Sequence, residues 1–303
     1  MSDRGATGAA VRILAPAKIN VGLAVLGQRS DGYHELRTIF QAVSLCDRIE
    51  LRRARAGVRV RCPALPGLGE RNLAHRAATL FLERTGVPGG VRIDLEKRIP
   101  AGGGLGGGSS DAAAVLLGCC RLFGVIPEPG LLRAWAATLG SDVPFFLDGG
   151  SAIGSGRGEL IEPLAPFKGK VVALLHLGTE GLATAAVYRR LEPSALTGRE
   201  RAFNMVVARW REGDLRRLGE KLFNDLEAPA FALSPGLPDV KEALCASGAL
   251  GALLCGSGSG VFGLFGSEEE AERARSQLRA RIAGRLVKAH FLPARRRWGV
   301  VKR

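Results

Sequence analysis

No Cys-x-x-Cys pair occurs in the 303 residues, and the four histidines do not gather around Cys46, Cys62, Cys119, Cys120, Cys245 or Cys255. That spacing argues against a structural zinc site and for reduced thiols. No apolar run reaches the roughly 18 residues that span a bilayer. The opening stretch "MSDRGATGAAVRILAPAKIN" lacks the basic-then-apolar build of a secretory signal, so a cytoplasmic location and no membrane partner are expected. Aromatic residues are scarce, at 6% with two tyrosines, and none interleave with basic runs. An RNA-binding module would use the chain's charge but finds no aromatic platform here, so no nucleic-acid partner is expected. Acids are also in deficit, 29 against 43 basic residues, for a net charge of +14. Such a balance favours anionic partners, phosphorylated small molecules among them. The excess is scattered. Its densest cluster, "RRRWGVVKR" (Arg295–Arg303), suggests no function.

At roughly 150 residues per domain, the length suggests two domains. Apolar and alternating runs predict strands at 18–26, 36–45, 48–53, 58–62 and 91–97. A helix is expected over 72–86, stopped by Gly86, and another from the glycine loop to Phe123. The character changes near 159–170, which divides the chain into domains 1–162 and 163–303. In the second half, strands are expected in "GELIEPL", "KVVALLHL" and "RLVKAHFLPA". Helical segments lie between Thr184 and Ala246. "ALGALLCGSGSGVFGLFG" reads as strand, glycine turn, strand. "SEEEAERARSQLRARIAG" reads as a helix capped by Ser267.

What is abundant is glycine. In "KRIPAGGGLGGGSSDAAAVLLGCC" (Lys97–Cys120) it fills six of the seven positions 102 to 108, where a helix begins. Bare backbone admits close approach of a ligand and positive φ. A helix N-terminus adds unpaired N–H groups and a partial positive charge, so together they form an anion cradle. Ser109 and Ser110 stand in the first turn, where a hydroxyl can donate to phosphate or touch magnesium. Asp111 can cap the helix or position the metal. A dinucleotide fingerprint fits Gly102-x-Gly104-x-x-Gly107, with Glu128 as its acid, but Glu128 lies in "IPEPG" and not at a strand end. A P-loop is rejected because no lysine follows the glycines. A flexible linker would not sit between a strand and a strong helix. A different phosphate loop remains, with its positive charge supplied by other residues.

The stretch "P-x-GGGLGGGSSDAAA" resembles the phosphate loop of the GHMP kinases. "APAKINVGLAVLGQRSDGYHELRTIFQAVSLCDRI", "LGSDVPFFLDGG" and "LCGSGSGVFGLF" narrow the resemblance to the members that act on 4-diphosphocytidyl-2-C-methyl-D-erythritol. The four stretches follow the family's order and cover most of the chain. This implies an α+β fold of two domains, the first a ribosomal-protein-like βαβ domain and the second α/β-plait-like, with the active site in the cleft between them. It implies transfer of the ATP γ-phosphoryl group to the 2-hydroxyl of that substrate, a step in non-mevalonate isoprenoid synthesis. The alternative is another GHMP kinase, of homoserine or mevalonate type, against which "DGYHEL" argues. ATP and Mg2+ are the implied cofactors. The expected partners are ATP and a cytidine diphosphate-linked polyol, bound by a monomer or weak homodimer.

The resemblance also assigns residues. Asp142 is the base that accepts the hydroxyl proton, although an Asp in a turn is by itself an ordinary backbone cap. Lys18 is its cationic partner. It sits on a strand that reads as buried, where a lysine is expensive unless paired. Asn20 shares that strand face and is assigned to the substrate hydroxyls. The ATP phosphates fall to Pro100, Ala101, Gly102, Gly103, Gly104, Leu105, Gly106, Gly107, Gly108, Ser109 and Ser110. Gly256, Ser257 and Gly258 lie against the substrate diphosphate. Tyr33 and His34 recognise cytosine. Thr184 and Tyr188 stand at i and i+4 on one helix face and are both assigned to the substrate, with Tyr188 closing the cytosine pocket. No residue is assigned as a dedicated metal ligand. The chain departs from the family pattern at Leu254-Cys255 and at His176-Leu177-Gly178.

Overall fold

The computed structural model describes residues 10–178, 181–192 and 198–294. The basic tail at 295–303 lies outside the described residues. The first sheet begins with a long antiparallel hairpin, β1 (Val11–Gln28) and β2 (His34–Ala54). β3 (Gly57–Arg61), α1 (Leu73–Thr85) and β4 (Gly90–Glu96) form a βαβ crossover whose two strands pair in parallel. α2 (Gly107–Phe123), α3 (Pro129–Leu139) and α4 (Val143–Asp148) follow, then β5 (Ser151–Ser155) and β6 (Leu160–Pro163). The strand order is β3-β4-β2-β5-β6, with β1 also paired to β2.

Local chemistry sets these elements. The Asn72 side chain accepts the Ala74 N–H at 2.9 Å and starts α1, and Gly86 ends it in the left-handed region. The sequence suggests two strands where β2 runs unbroken. Asp47, which reads as a break, is fully buried in the sheet and accepts N–H bonds from Arg98 and Ile99. β5, α3 and α4 have no counterpart in the sequence pattern. β5 and α4 span only five and six residues, and α3 opens on Pro129-Gly130, a pair that reads as a turn.

The second half holds β7 (Val172–Leu177), α5 (Thr184–Tyr188), α6 (Arg199–Glu212), α7 (Leu215–Gly219), α8 (Glu227–Leu233) and α9 (Leu237–Ala246). It closes with β8 (Gly251–Leu254), β9 (Val261–Phe265), α10 (Glu268–Leu278) and β10 (Arg285–His290). These strands form an antiparallel sheet in the order β10-β7-β9-β8. Ser267 and Glu270 make a reciprocal capping box at the start of α10.

β1 is the strand that positions the site. α2 packs against it, and a core cluster joins its Ile19 and Val21 to Phe203 and Trp210 of α6 and to Phe262 of β9. With both faces covered, residues 17 to 25 of β1 are all buried. A charged side chain there requires a partner.

Candidate active site

Lys18 is that charged side chain, 4% exposed. Its ammonium donates to Asn20 Oδ1 at 2.7 Å and stands 3.5 Å from Asp142 Oδ2. Asn20 Nδ2 donates to Thr38 Oγ1 at 2.8 Å, and Thr38 donates on to the Gly22 carbonyl at 2.7 Å. Both nearest polar contacts of Asn20 are therefore internal, and they hold Lys18 in place. Asp142 occupies the N-cap position of α4, yet its side chain makes no capping bond. The carboxylate instead faces Lys18 and is about a third exposed, open to the cavity.

The glycine loop packs over this pair. The Lys18 N–H bonds the Leu105 carbonyl at 3.0 Å, and a Cβ on Gly106 (φ +68°) would collide with the Phe146 ring and approach Lys18 Cγ. Ser110 N–H makes a helical bond to the Gly106 carbonyl, so the N–H groups of Gly107, Gly108 and Ser109 precede the first such bond of α2. The loop is not a linker: Ser259 and Gly260 donate their N–H groups to the Gly102 and Gly103 carbonyls. A Cβ on Gly104 would lie 1.7 Å from the Cys255 carbonyl oxygen. Part of the glycine content thus lets two glycine turns dock backbone to backbone. Asn224 fixes the second turn by donating to the Leu254 and Gly256 carbonyls.

A cavity of about 1310 Å³ runs along these elements. One small ligand commonly takes about 300–1,000 Å³, so there is room for two. At one end lie Leu65, Leu68, Asn72 and Leu73 beside the loop. At the other lie Tyr33, His34 and Tyr188. The His34 and Tyr188 rings are 5.0 Å apart at 33°, and the Arg157 guanidinium lies 4.7 Å over the Tyr33 ring. Burial pushes the His34 imidazole below its ordinary value, and burial with nearby Asp142 pushes the Tyr188 phenol up. Thr184 Oγ1 and Ser257 Oγ are 2.9 Å apart, tying α5 to the second glycine turn.

Residues 72–150 match the family model for the GHMP kinases N terminal domain, and residues 206–284 match GHMP kinases C terminal. The 4-diphosphocytidyl-2-C-methyl-D-erythritol kinase of Moorella thermoacetica is 45% identical over 271 residues, 87% of this chain and 93% of its own. The chain belongs to the 4-diphosphocytidyl-2-C-methyl-D-erythritol kinases, within the GHMP kinase family. A crystal structure of 4-(cytidine 5'-diphospho)-2C-methyl-D-erythritol kinase superposes with a TM-score of 0.79 at 42% identity, covering 92% of this chain and 98% of the other. A homoserine kinase from Cytophaga hutchinsonii has a TM-score of 0.77 at 22% identity, covering 97% and 99%, a likeness of fold alone. The dinucleotide reading falls with the fold: Glu128 is an exposed residue at the N-cap of α3, not the end of a second strand.

In this kinase one group of residues is hidden from the sequence. Lys97, at the end of β4, ion-pairs with both Asp47 and Asp111, the latter at 2.7 Å. A Gly107 Cβ would sit 3.2 Å from its ammonium, so the buried cation lies directly under the glycine loop. Two carboxylates more than offset the cost of burying Lys97 and hold it charged. Burial pushes Asp111 up, against the pull of Lys97. Asp111 thus anchors Lys97 and does not cap α2, whose N-cap is Gly106. Ser110 is fully buried, and its Oγ has no hydrogen-bond partner among the described residues; Ser109 lines the cavity.

Proposed function

We propose that this chain transfers the γ-phosphoryl group of ATP to the 2-hydroxyl of 4-diphosphocytidyl-2-C-methyl-D-erythritol, in non-mevalonate isoprenoid synthesis. The Asp142–Lys18 pair carries the reading, because it is a carboxylate open to the cavity beside a buried cation. The acceptor hydroxyl donates its proton to Asp142 as its oxygen forms the new P–O bond. The bond from the γ-phosphorus to the ADP oxygen breaks, and ADP leaves. Lys18 stabilises negative charge on the acceptor oxygen and fixes the orientation of Asp142. Asn20 and Thr38 keep Lys18 from swinging away.

Phosphoryl transfer rests on positioning and charge neutralisation. The N–H groups that open α2 supply fixed partial positive charge to the donor phosphates, and Lys97, held by Asp47 and Asp111, fixes the loop from beneath. Tyr33, His34 and Tyr188 hold the cytosine, and Gly256–Gly258 with Ser257 and Thr184 face the diphosphate. A hard cation fits this loop. Asp111 Oδ1 is buried without a hydrogen-bond partner among the described residues, and Ser109 presents a hydroxyl to the cavity. Among the described residues no three His, Cys, Asp or Glu side chains converge, so Ser109 and Asp111 would hold magnesium that arrives on the nucleotide. Held there, magnesium would supply neutralisation of phosphate charge. The first sheet ends with β6 at Pro163 and the second begins with β7 at Val172, which supports a boundary just after β6, near the proposed division into 1–162 and 163–303.

The regiochemistry tests the assignment. Carbon 2 of the acceptor bears no hydrogen, so its phosphate monoester gives a 31P resonance without P–O–C–H coupling. A coupled multiplet would move the reaction to another hydroxyl and remove Asp142 from its role as proton acceptor.

A further inference from the structure

Among the described residues five cationic side chains line the cavity: Lys18, Arg71, Lys97, Arg157 and Arg189. Three have acidic partners on the protein. Lys18 faces Asp142, Lys97 is shared by Asp47 and Asp111, and Arg157 Nε stands 3.6 Å from Glu159. Arg71 and Arg189 have no ion-pair partner among the described residues. They belong to opposite ends. Arg71 immediately precedes Asn72 and Leu73, beside Gly108 of the phosphate loop. Arg189 immediately follows Tyr188.

α5 brings Arg189 to the acceptor end. Thr184, Ala185, Tyr188 and Arg189 all line the cavity, while Val187 on the opposite side of the helix is buried in the core. Arg189 is the C-cap of α5, its N–H bonded to the Ala185 carbonyl at 3.1 Å, while the next N–H, of Arg190, bonds the Val187 carbonyl. The helix is pinned at its start by the Thr184–Ser257 contact and by Leu182 N–H to the Gly102 carbonyl. The backbone that carries Arg189 is therefore fixed relative to both glycine turns.

We propose that Arg189 is a specificity-determining residue that binds the diphosphate of the acceptor, which rests on the proposed identity of that acceptor. A diphosphate diester brings two negative charges into the cavity and needs a cation to replace the water it loses. Of the cations at this end, Lys18 is committed to Asp142, and Arg157 lies over Tyr33 with Glu159 beside it. The planar guanidinium of Arg189 offers paired donors that match phosphate oxygens. Its place next to Tyr188 ties phosphate recognition to base recognition on one short helix. A pyrimidine nucleoside without phosphate gains nothing from it.

The test compares Arg189→Gln and Arg189→Lys with wild type, using steady-state kinetics and calorimetric binding of CDP and of cytidine. In Arg189→Gln the acceptor KM is expected to rise roughly ten- to a hundredfold, as loss of a charge-assisted hydrogen bond gives. The kcat and the ATP KM stay within about twofold, for Arg189 touches neither the reacting atoms nor the donor end. CDP affinity falls by the same factor as the acceptor, cytidine affinity does not change, and Arg189→Lys recovers part of the loss. Wild-type CDP affinity in Arg189→Gln would overturn the assignment. So would an equal loss for CDP and cytidine, which would mark a damaged aromatic end. If wild type itself fails to phosphorylate the diphosphocytidyl acceptor, the underlying reading falls and takes this one with it. An unchanged Arg189→Gln beside an active wild type removes only the role of Arg189.

Discussion

The Asp142 carboxylate stands 3.5 Å from the Lys18 ammonium, the one carrying its charge to the cavity and the other buried in a strand covered on both faces. Asp142→Asn keeps the shape and removes the proton acceptor. Its kcat should fall on the order of 10²–10⁴-fold, with ATP affinity unchanged. Lys18→Met should fall comparably. Single-turnover rates and calorimetric ATP binding check both.

The aromatic end should show a pH signature. Burial lowers the His34 pKa from 6.5, so the folded protein favours the neutral ring. The stability and pocket geometry that the neutral ring supports hold above the ordinary imidazole range and are lost as pH falls through the lowered value. The acceptor KM is expected to rise as pH falls below the ordinary imidazole range, with the ATP KM flat, and His34→Gln should flatten the profile. Tyr188→Ala should weaken acceptor binding by about 1–3 kcal/mol, the worth of one stacked base, measured as KM against kcat.

Lys97 is predicted to matter for stability before chemistry. Lys97→Met leaves Asp47 and Asp111 buried without their cation and should cost about 3–5 kcal/mol in denaturant unfolding. Asp111→Asn keeps a hydrogen-bond acceptor for Lys97 and should cost much less.

Two glycines should respond in opposite directions. Gly104→Ala forces a Cβ onto the Cys255 carbonyl at φ +72° and should destabilise by more than about 3 kcal/mol. Gly130→Ala, in the first turn of α3 with nothing within 4 Å of its Cβ position, should stabilise by about 0.4–1 kcal/mol. Thermal melts of the two variants give the comparison.

The parts of the site legible in sequence are those whose residues are adjacent in the chain. The glycine loop with its helix start, the Tyr33-His34 turn and the Asp142 turn are contiguous motifs. Lys18 stands out because it interrupts a run that reads as buried. The Lys97 group is not legible, because Asp47 and Asp111 reach Lys97 only through the β2–β4 register and the packing of α2. The stacking of Arg157 on Tyr33 likewise joins two separate turns. The glycine loop reads as a phosphate cradle, while its contact with the second glycine turn leaves no mark of its own in the sequence. Close backbone packing and ligand approach both demand glycine, and composition does not separate them. β2 looks like two strands because a buried aspartate is satisfied only by groups some fifty residues away.

The most direct measurement is product mass after incubation with magnesium, ATP and 4-diphosphocytidyl-2-C-methyl-D-erythritol, beside mevalonate and homoserine as separate acceptors. The cytidyl acceptor alone is predicted to gain one phosphoryl group, and that product is predicted to be lost in Asp142→Asn. Phosphorylation of mevalonate or homoserine instead would contradict the substrate, and an Asp142→Asn variant as fast as wild type would contradict the role of Asp142.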